Sequence, residues 1–220
     1  MIPRQEFDLL VFDWDGTLMD STATIVTSIQ SAFRDLGLPE PAARDCRYVI
    51  GFGLKEALAY LAPGQTDAVV EHLIERYRHY FLSHEKQLIL FEGVIDGLAR
   101  LEDAGYMLAV ATGKARNGLD RLLDLTGLRE RFVVTRCADE AFSKPHPAML
   151  NYILDFTAVH PTKALMIGDT THDLELGKNA GVRSVAMTYG AHPIEEMLPH
   201  GPVAHFDDFP ALTDWLLKRD

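Results

Sequence analysis

Two aspartates one residue apart, Asp13 and Asp15 in the stretch DWDGT, are the first side chains along the sequence equipped for chemistry. The residues before them, 7–13 (FDLLVFD), are nearly all apolar and strand-forming, which predicts a strand buried on both faces of a parallel sheet. Alternate residues of an extended chain share a side, so both carboxylates leave the strand end together, and Gly16 lets the backbone turn away behind them. Two carboxylates that close repel. A neighbouring cation must offset the repulsion, or one acid must keep its proton. A DG turn bearing two solvated acids is the plainer alternative.

Three further clusters stand at similar junctions. Thr112-Gly113-Lys114 (ATGK) follows an apolar run over 106–111 and precedes a helical pattern. A hydroxyl and free helix-start N–H groups then lie together, as a phosphate's oxygens require, although a capping threonine with no ligand has the same pattern. Lys144 sits in the proline-framed loop SKPHP, where its ammonium can neutralise a phosphate and a neighbouring aspartate together; a solvated surface lysine is the alternative. GDTTHD closes an apolar run over 164–167. Asp169 there adds a third carboxylate, and with Asp13 and Asp15 it makes a hard-oxygen set of the kind magnesium takes. Asp173 stands one layer further out, or simply favours the start of a helix.

These groups need a frame. Helical spacing covers 21–36, with Ile25, Ile29, Ala32, Phe33 and Leu36 on one stripe, then 53–61 and 66–82, and no convincing strand occurs from 21 to 88. Beyond Phe91 the pattern alternates. Helices are expected over 94–104, 116–125, 147–156, 172–180 and 210–218, and strands over 106–111, 131–135, 164–167, 182–187 and 203–206. Alternation predicts an α/β fold: a Rossmann-like parallel sheet core with helices on both faces, whose ligands gather beyond the carboxyl ends of the strands. The all-helical stretch reads as an insertion. The expected division is a catalytic core of residues 1–19 and 89–220 and a helical cap domain of residues 20–88.

The 220 residues carry 21 Lys and Arg against 32 Asp and Glu, a formal charge of −11. Such a chain repels a polyanion, so no nucleic-acid partner is expected. No apolar run is long enough to cross a bilayer, and the start is broken by aspartates within its apolar stretch, so neither a membrane partner nor a signal peptide is expected and the location is read as cytoplasmic. Cys46 and Cys137 stand at no metal or redox spacing and read as reduced packing residues. His72 and His79 lie in the charged stretch VVEHLIERYRHYF and, with His84, read as a solvated face rather than a metal patch. His146 and His172 lie beside the clusters, as loop polar groups or as residues that tune phosphate affinity.

Four such motifs in this order are far more specific than any one. DWDGT, ATGK, SKPHP and GDTTHD resemble the four motifs of the haloacid dehalogenase superfamily of aspartate-nucleophile phosphatases, a likeness that spans nearly the whole chain. With the helical insertion straight after the first motif, the chain is similar to the small-cap subclass that includes phosphoglycolate phosphatases and β-phosphoglucomutases. The resemblance implies a Mg2+-dependent phosphatase acting on a small phosphorylated metabolite. Asp13 attacks phosphorus to give an aspartyl-phosphate, Asp15 protonates the leaving alcohol and later activates water, and Mg2+ is held by Asp13, Asp169 and the main-chain carbonyl of Asp15. Lys144, Thr112 and Gly113 hold the phosphoryl oxygens. Thr17 braces Asp15, and Asp173 orients Lys144 or a water on the metal.

Asp15, two residues after the nucleophile, separates this pattern from the dehalogenases and from phosphonate-cleaving members of the superfamily. A β-phosphoglucomutase-like mutase is one alternative, although STATIVTS lacks the cap histidine those enzymes carry; a non-catalytic phosphate-binding module is the other. RYVIGFGLKEAL resembles the cap stretch of phosphoglycolate phosphatases, which implies that Arg47, with Arg44 and Lys55 nearby, meets an acidic substrate group. ATGK replaces their asparagine-bearing motif, so pyrophosphate, a nucleoside monophosphate or a sugar phosphate fits the same core. A monomer or homodimer is expected.

Overall fold

The computed structural model describes residues 6–218; the outer ends of the expected core, residues 1–5 and 219–220, lie outside them. Along the chain come β1 (Leu9–Phe12), α1 (Thr22–Asp35), α2 (Ala43–Tyr48), α3 (Leu54–Leu61), α4 (Asp67–His84), α5 (Val94–Asp103), β2 (Met107–Thr112) and α6 (Arg116–Thr126). Then follow β3 (Val134–Cys137), α7 (Ala148–Thr157), β4 (Ala164–Gly168), α8 (Thr171–Asn179), β5 (Arg183–Met187), α9 (Ile194–Met197), β6 (Ala204–Phe206) and α10 (Phe209–Leu217).

The strands form one parallel sheet in the order β3-β2-β1-β4-β5-β6. β1 lies inside it, with Phe12 opposite Val110 of β2 on one side and Ile167 of β4 on the other. Period-two alternation sorts β1 between two cores. Leu9 and Val11 join Met149, Leu150 and Ile153 of α7 and Leu176 of α8, whereas Leu10 and Phe12 join Leu98 of α5 and Phe209 and Leu212 of α10. A strand buried on both sides keeps no polar position, which is why 7–13 is so nearly apolar in sequence.

In chain order α1 to α4 come after β1 and before α5 and the remaining strands. α1 buries Ile25, Ile29, Ala32 and Phe33 and packs on α4, which buries Val70, Leu73, Ile74 and Phe81. The chain leaves and re-enters the sheet side by side: Asp20 N–H donates to the Ile89 carbonyl at 2.9 Å and Phe91 N–H to the Leu18 carbonyl at 3.0 Å.

Three elements depart from the sequence expectation. α2 has only Cys46 buried among six residues, too short a span to show a stripe, and α9 has four residues. β3 begins at Val134 rather than 131, because Gly127 ends α6 and a 3-10 turn takes up Arg129–Arg131, with Arg131 N–H donating to the Leu128 carbonyl at 3.1 Å. Among the described residues, no helix is long and apolar enough to cross a membrane.

Candidate active site

β1, β2 and β4 are neighbours, so their carboxyl ends bring Asp13, Thr112 and Asp169 to one edge of the sheet, where the strand order changes direction. Asp13, Asp169 and Asp173 are all buried, and each offers a carboxylate oxygen within 4.8 Å of the others. Lys144, with no exposed surface, enters from the loop between β3 and α7; its Nζ stands 2.8 Å from Asp13 Oδ1 and 2.6 Å from Asp173 Oδ1. Three carboxylates against one ammonium leave negative charge uncompensated where water cannot screen it. Burial, above all, pushes the Asp13 carboxyl up to about 7; Lys144 pulls it back, and Asp173 and Asp15 add to the rise. Burial, then Asp13 and Asp173, hold Asp169 well above the usual carboxylate range. Burial opposes the charge on Lys144, yet the two aspartates outweigh it and keep the ammonium protonated.

Each carboxylate spends its oxygens differently. Asp173 is fully engaged: Oδ1 accepts from Lys144, and Oδ2 accepts from the Thr170 N–H at 3.1 Å and the Thr170 hydroxyl at 2.6 Å. Thr170 Oγ1 accepts in turn from the Asp173 N–H, a reciprocal cap that starts α8. Asp173 therefore both begins a helix and anchors the lysine. Asp169 accepts one bond at each oxygen, from the Thr17 hydroxyl at 2.6 Å and the Ala191 N–H at 2.7 Å. Asp13 Oδ2 has no hydrogen-bond partner among the described residues. An orphaned carboxylate oxygen beside a second half-engaged one, in a buried site with excess negative charge, suits a hard divalent cation.

The Asp15 carboxylate stands outside this group. Its Oδ1 accepts from the Ser21 hydroxyl at 2.5 Å, and its Oδ2 lies 3.0 Å from Lys114 Nζ. Neither partner has a role in the sequence reading, where Ser21 only opens a helix and Lys114 only completes ATGK. Thr17, expected to brace Asp15, braces Asp169 instead, because the turn at Gly16 carries it across to the end of β4. Gly16 is required twice over: its φ is +81°, and a Cβ there would lie 2.2 Å from Asp169 Oδ2. Gly190 crowds the same oxygen from the far side, with a Cβ position 2.1 Å away, and nothing in the sequence pattern marks it.

The turn between α2 and α3 closes over these residues. A Cβ on Gly113 would fall 2.5 Å from the Phe52 carbonyl oxygen, and Gly53 N–H donates to Ser143 Oγ at 2.8 Å. The Tyr48 carbonyl meets His172 Nε2 at 2.6 Å and His192 Nε2 at 3.2 Å. Burial draws His172 down to about 4 and His192 below the usual histidine range, a direction that favours the neutral ring. His192 Nδ1 accepts from the Thr171 N–H, which leaves the ring proton on Nε2 to donate to Tyr48.

Beneath this turn is a chamber of about 210 Å³ that takes in Asp13, Asp15, Thr112, Gly113 and Lys114. Arg47, expected to meet the substrate, does not line it. α2 buries Cys46 and so turns Arg47 outward, into a separate groove with Arg44, Tyr60 and Glu196. Arg44 pairs there with Glu196 at 3.2 Å, and Lys55 pairs with Glu71 at 2.9 Å.

A sequence profile of haloacid dehalogenase-like hydrolases matches residues 10–187. "Probable phosphatase IndB" of Dickeya dadantii is 35% identical over 206 residues, covering 91% of this chain and 90% of its own. A phosphoglycolate phosphatase of Agrobacterium fabrum is 30% identical over 225 residues, covering 100% and 96%. Among solved structures, a predicted phosphoglycolate phosphatase from Haemophilus somnus superposes with a TM-score of 0.82 at 25% identity, over 96% of this chain and 98% of that one. A hydrolase from Pseudomonas syringae shares the fold, with a TM-score of 0.86 at 22% identity over 95% and 97% of the two chains. With its strand-end motifs in place and its match to the family running from β1 through β5, the protein belongs to the haloacid dehalogenase-like hydrolase family.

Proposed function

We propose that the protein is a magnesium-dependent phosphatase, similar to phosphoglycolate phosphatases, that hydrolyses a small-molecule phosphate monoester through an aspartyl-phosphate on Asp13. One observation carries this: Asp13 has a carboxylate oxygen without a hydrogen-bond partner among the described residues, beside a buried ammonium, and lines the same chamber as a second acid, Asp15. Asp13 Oδ2 attacks phosphorus, the ester P–O bond breaks, and Asp15 gives its proton to the departing alcohol oxygen. Asp15 then takes a proton from water, whose oxygen attacks the same phosphorus and releases inorganic phosphate with Asp13 restored. Lys144, the Thr112 hydroxyl and the Gly113 N–H hold the oxygens that do not react.

Asp13, Asp169 and the main-chain carbonyl of Asp15 would hold magnesium, whose charge offsets that of the transferring group. Asp173 positions Lys144, and Thr17 positions Asp169. Residues 20–88 act as a cap over a core of 1–19 and 89–220 and keep bulk water from the chamber. A cytoplasmic location agrees with two buried, free thiols at Cys46 and Cys137. The test is hydrolysis of p-nitrophenyl phosphate. It is expected to require magnesium and to vanish in Asp13→Asn with the circular dichroism spectrum intact, and an unchanged rate in that variant overturns the assignment.

A further inference from the structure

The chamber over Asp13 and Asp15 has walls of a consistent character. Ile25 and Ile29 of α1, Ile50 of the α2–α3 turn, Leu54 and Ala57 of α3 and Phe81 of α4 line it, and all but Leu54 are buried. The Tyr77 ring, also in the wall, stacks on Phe81 with centroids 5.6 Å apart and planes at 20°. Its hydroxyl has no hydrogen-bond partner among the described residues, and burial raises its pKa.

Three cations line the chamber, and two of them are already committed to carboxylates. Lys114 is bound to Asp15 at 3.0 Å and lies against the Phe81 ring at 4.5 Å. Arg121 is paired with Glu85 at 3.0 Å, and Arg78 is exposed. A short carboxylate attached to the phosphate would sit among aliphatic carbons, and if it took Lys114 it would lie beside the Asp15 charge; either arrangement disfavours an anion there. An apolar ring is favoured by the same surroundings. A cavity of about 150 Å³ is enough to take benzene, so 210 Å³ admits one ring together with the ester oxygen.

Resting on the phosphatase function proposed above, we infer that the substrate is the phosphate ester of an apolar, single-ring alcohol, whose ring packs on Tyr77 and Phe81 and whose one polar substituent bonds the Tyr77 hydroxyl. Specificity then comes from the walls of α1, α3 and α4 rather than from an arginine of the cap.

The experiment compares kcat/KM for benzyl phosphate, 2-phosphoglycolate and acetyl phosphate with magnesium present. Benzyl alcohol leaves no more readily than an ordinary aliphatic alcohol, so a preference for it reports binding rather than leaving-group quality. Benzyl phosphate is expected to exceed 2-phosphoglycolate by about a hundredfold, the span that a few apolar contacts give in discrimination. Ile29→Asp is expected to raise KM for benzyl phosphate more than tenfold and to lower affinity for the unreactive benzylphosphonate in parallel. If 2-phosphoglycolate matches or exceeds benzyl phosphate, the inference is overturned while the phosphatase stands. If none of the three compounds is turned over, nor p-nitrophenyl phosphate beside them, the phosphatase falls first and the inference with it. Should Ile29→Asp fail to fold, the comparison on the unaltered protein still decides.

Discussion

Lys114 Nζ lies 3.0 Å from Asp15 Oδ2, and the same ammonium rests 4.5 Å from the centroid of the Phe81 ring on α4. The proposed acid and base is thus fixed from one side by Ser21 and from the other by a lysine that also touches the helical segment above. Replacing Lys114 by Met removes that second hold while keeping the bulk of the side chain. General acid catalysis is worth about 10²–10⁴ in rate, and loosening the acid is expected to forfeit roughly tenfold of kcat. The loss should be larger for benzyl phosphate than for p-nitrophenyl phosphate, whose leaving group needs little protonation. Equal losses on both would show that Lys114 acts on something other than Asp15.

Asp13 should be costly to the folded state when the cation is absent. It shares a buried site with two other carboxylates and one ammonium, and burial disfavours its charge. Asp13→Asn removes a negative charge yet leaves Lys144 its partner in Asp173. In EDTA the variant is expected to melt at or above the Tm of the unaltered protein, although inactive. Magnesium should then raise the Tm of the unaltered protein and not that of the variant. Lys144→Met is the opposite case, since breaking a buried pair from the cationic side costs about 3–5 kcal/mol. A calorimetric scan in which Lys144→Met is as stable as Asp13→Asn would contradict this picture of the charge balance.

The sheet and the acids at its edge are legible in sequence for one physical reason: doubly buried strands are apolar throughout, so the first polar residues after them stand out. Asp13 and Asp169 directly follow β1 and β4 and stand out this way, and Thr112 does so as the last residue of β2. What braces them is not legible, because the braces come from distant or unpatterned positions. The Thr17 hydroxyl reaches an aspartate 152 positions away, and Gly190 matters only because it has no side chain to strike Asp169. Arg47 misleads for a related reason. On a six-residue helix the buried position and its outward neighbour are adjacent in sequence, and no stripe tells Cys46 from Arg47.

The cysteines offer a check on the packing away from the chemistry. Burial, with Asp45 and Glu40 adding to it, pushes the Cys46 thiol up to about 11; burial, opposed by Arg116, pushes Cys137 up to about 12. Only the thiolate reacts. Relative to an open cysteine near 8.5, iodoacetamide labelling at pH 8 is expected to be slower by roughly a hundredfold or more. The rate should climb with pH beyond 9, and both thiols should label at once in guanidinium. Prompt modification of either at pH 8 under native conditions would mean that it is open to solvent.

Gly113 ties the seating of the cap to the chemistry. Its backbone is not in the left-handed region, so alanine is tolerated locally; the obstacle is that the new methyl would meet the carbonyl oxygens of Phe52 at 2.5 Å and Gly51 at 2.6 Å. Gly113→Ala must therefore lift the α2–α3 turn, and with it Ile50 and the Tyr48 carbonyl held by His172 and His192. The sheet beneath is untouched, so Tm should change little. A misplacement of about 1 Å can cost a hundredfold in rate, and a fall of this order in kcat/KM is expected, with a larger radius of gyration by small-angle scattering. Full activity in Gly113→Ala would show that the chemistry does not need the turn seated, and would remove the reason for assigning residues 20–88 a part in excluding water.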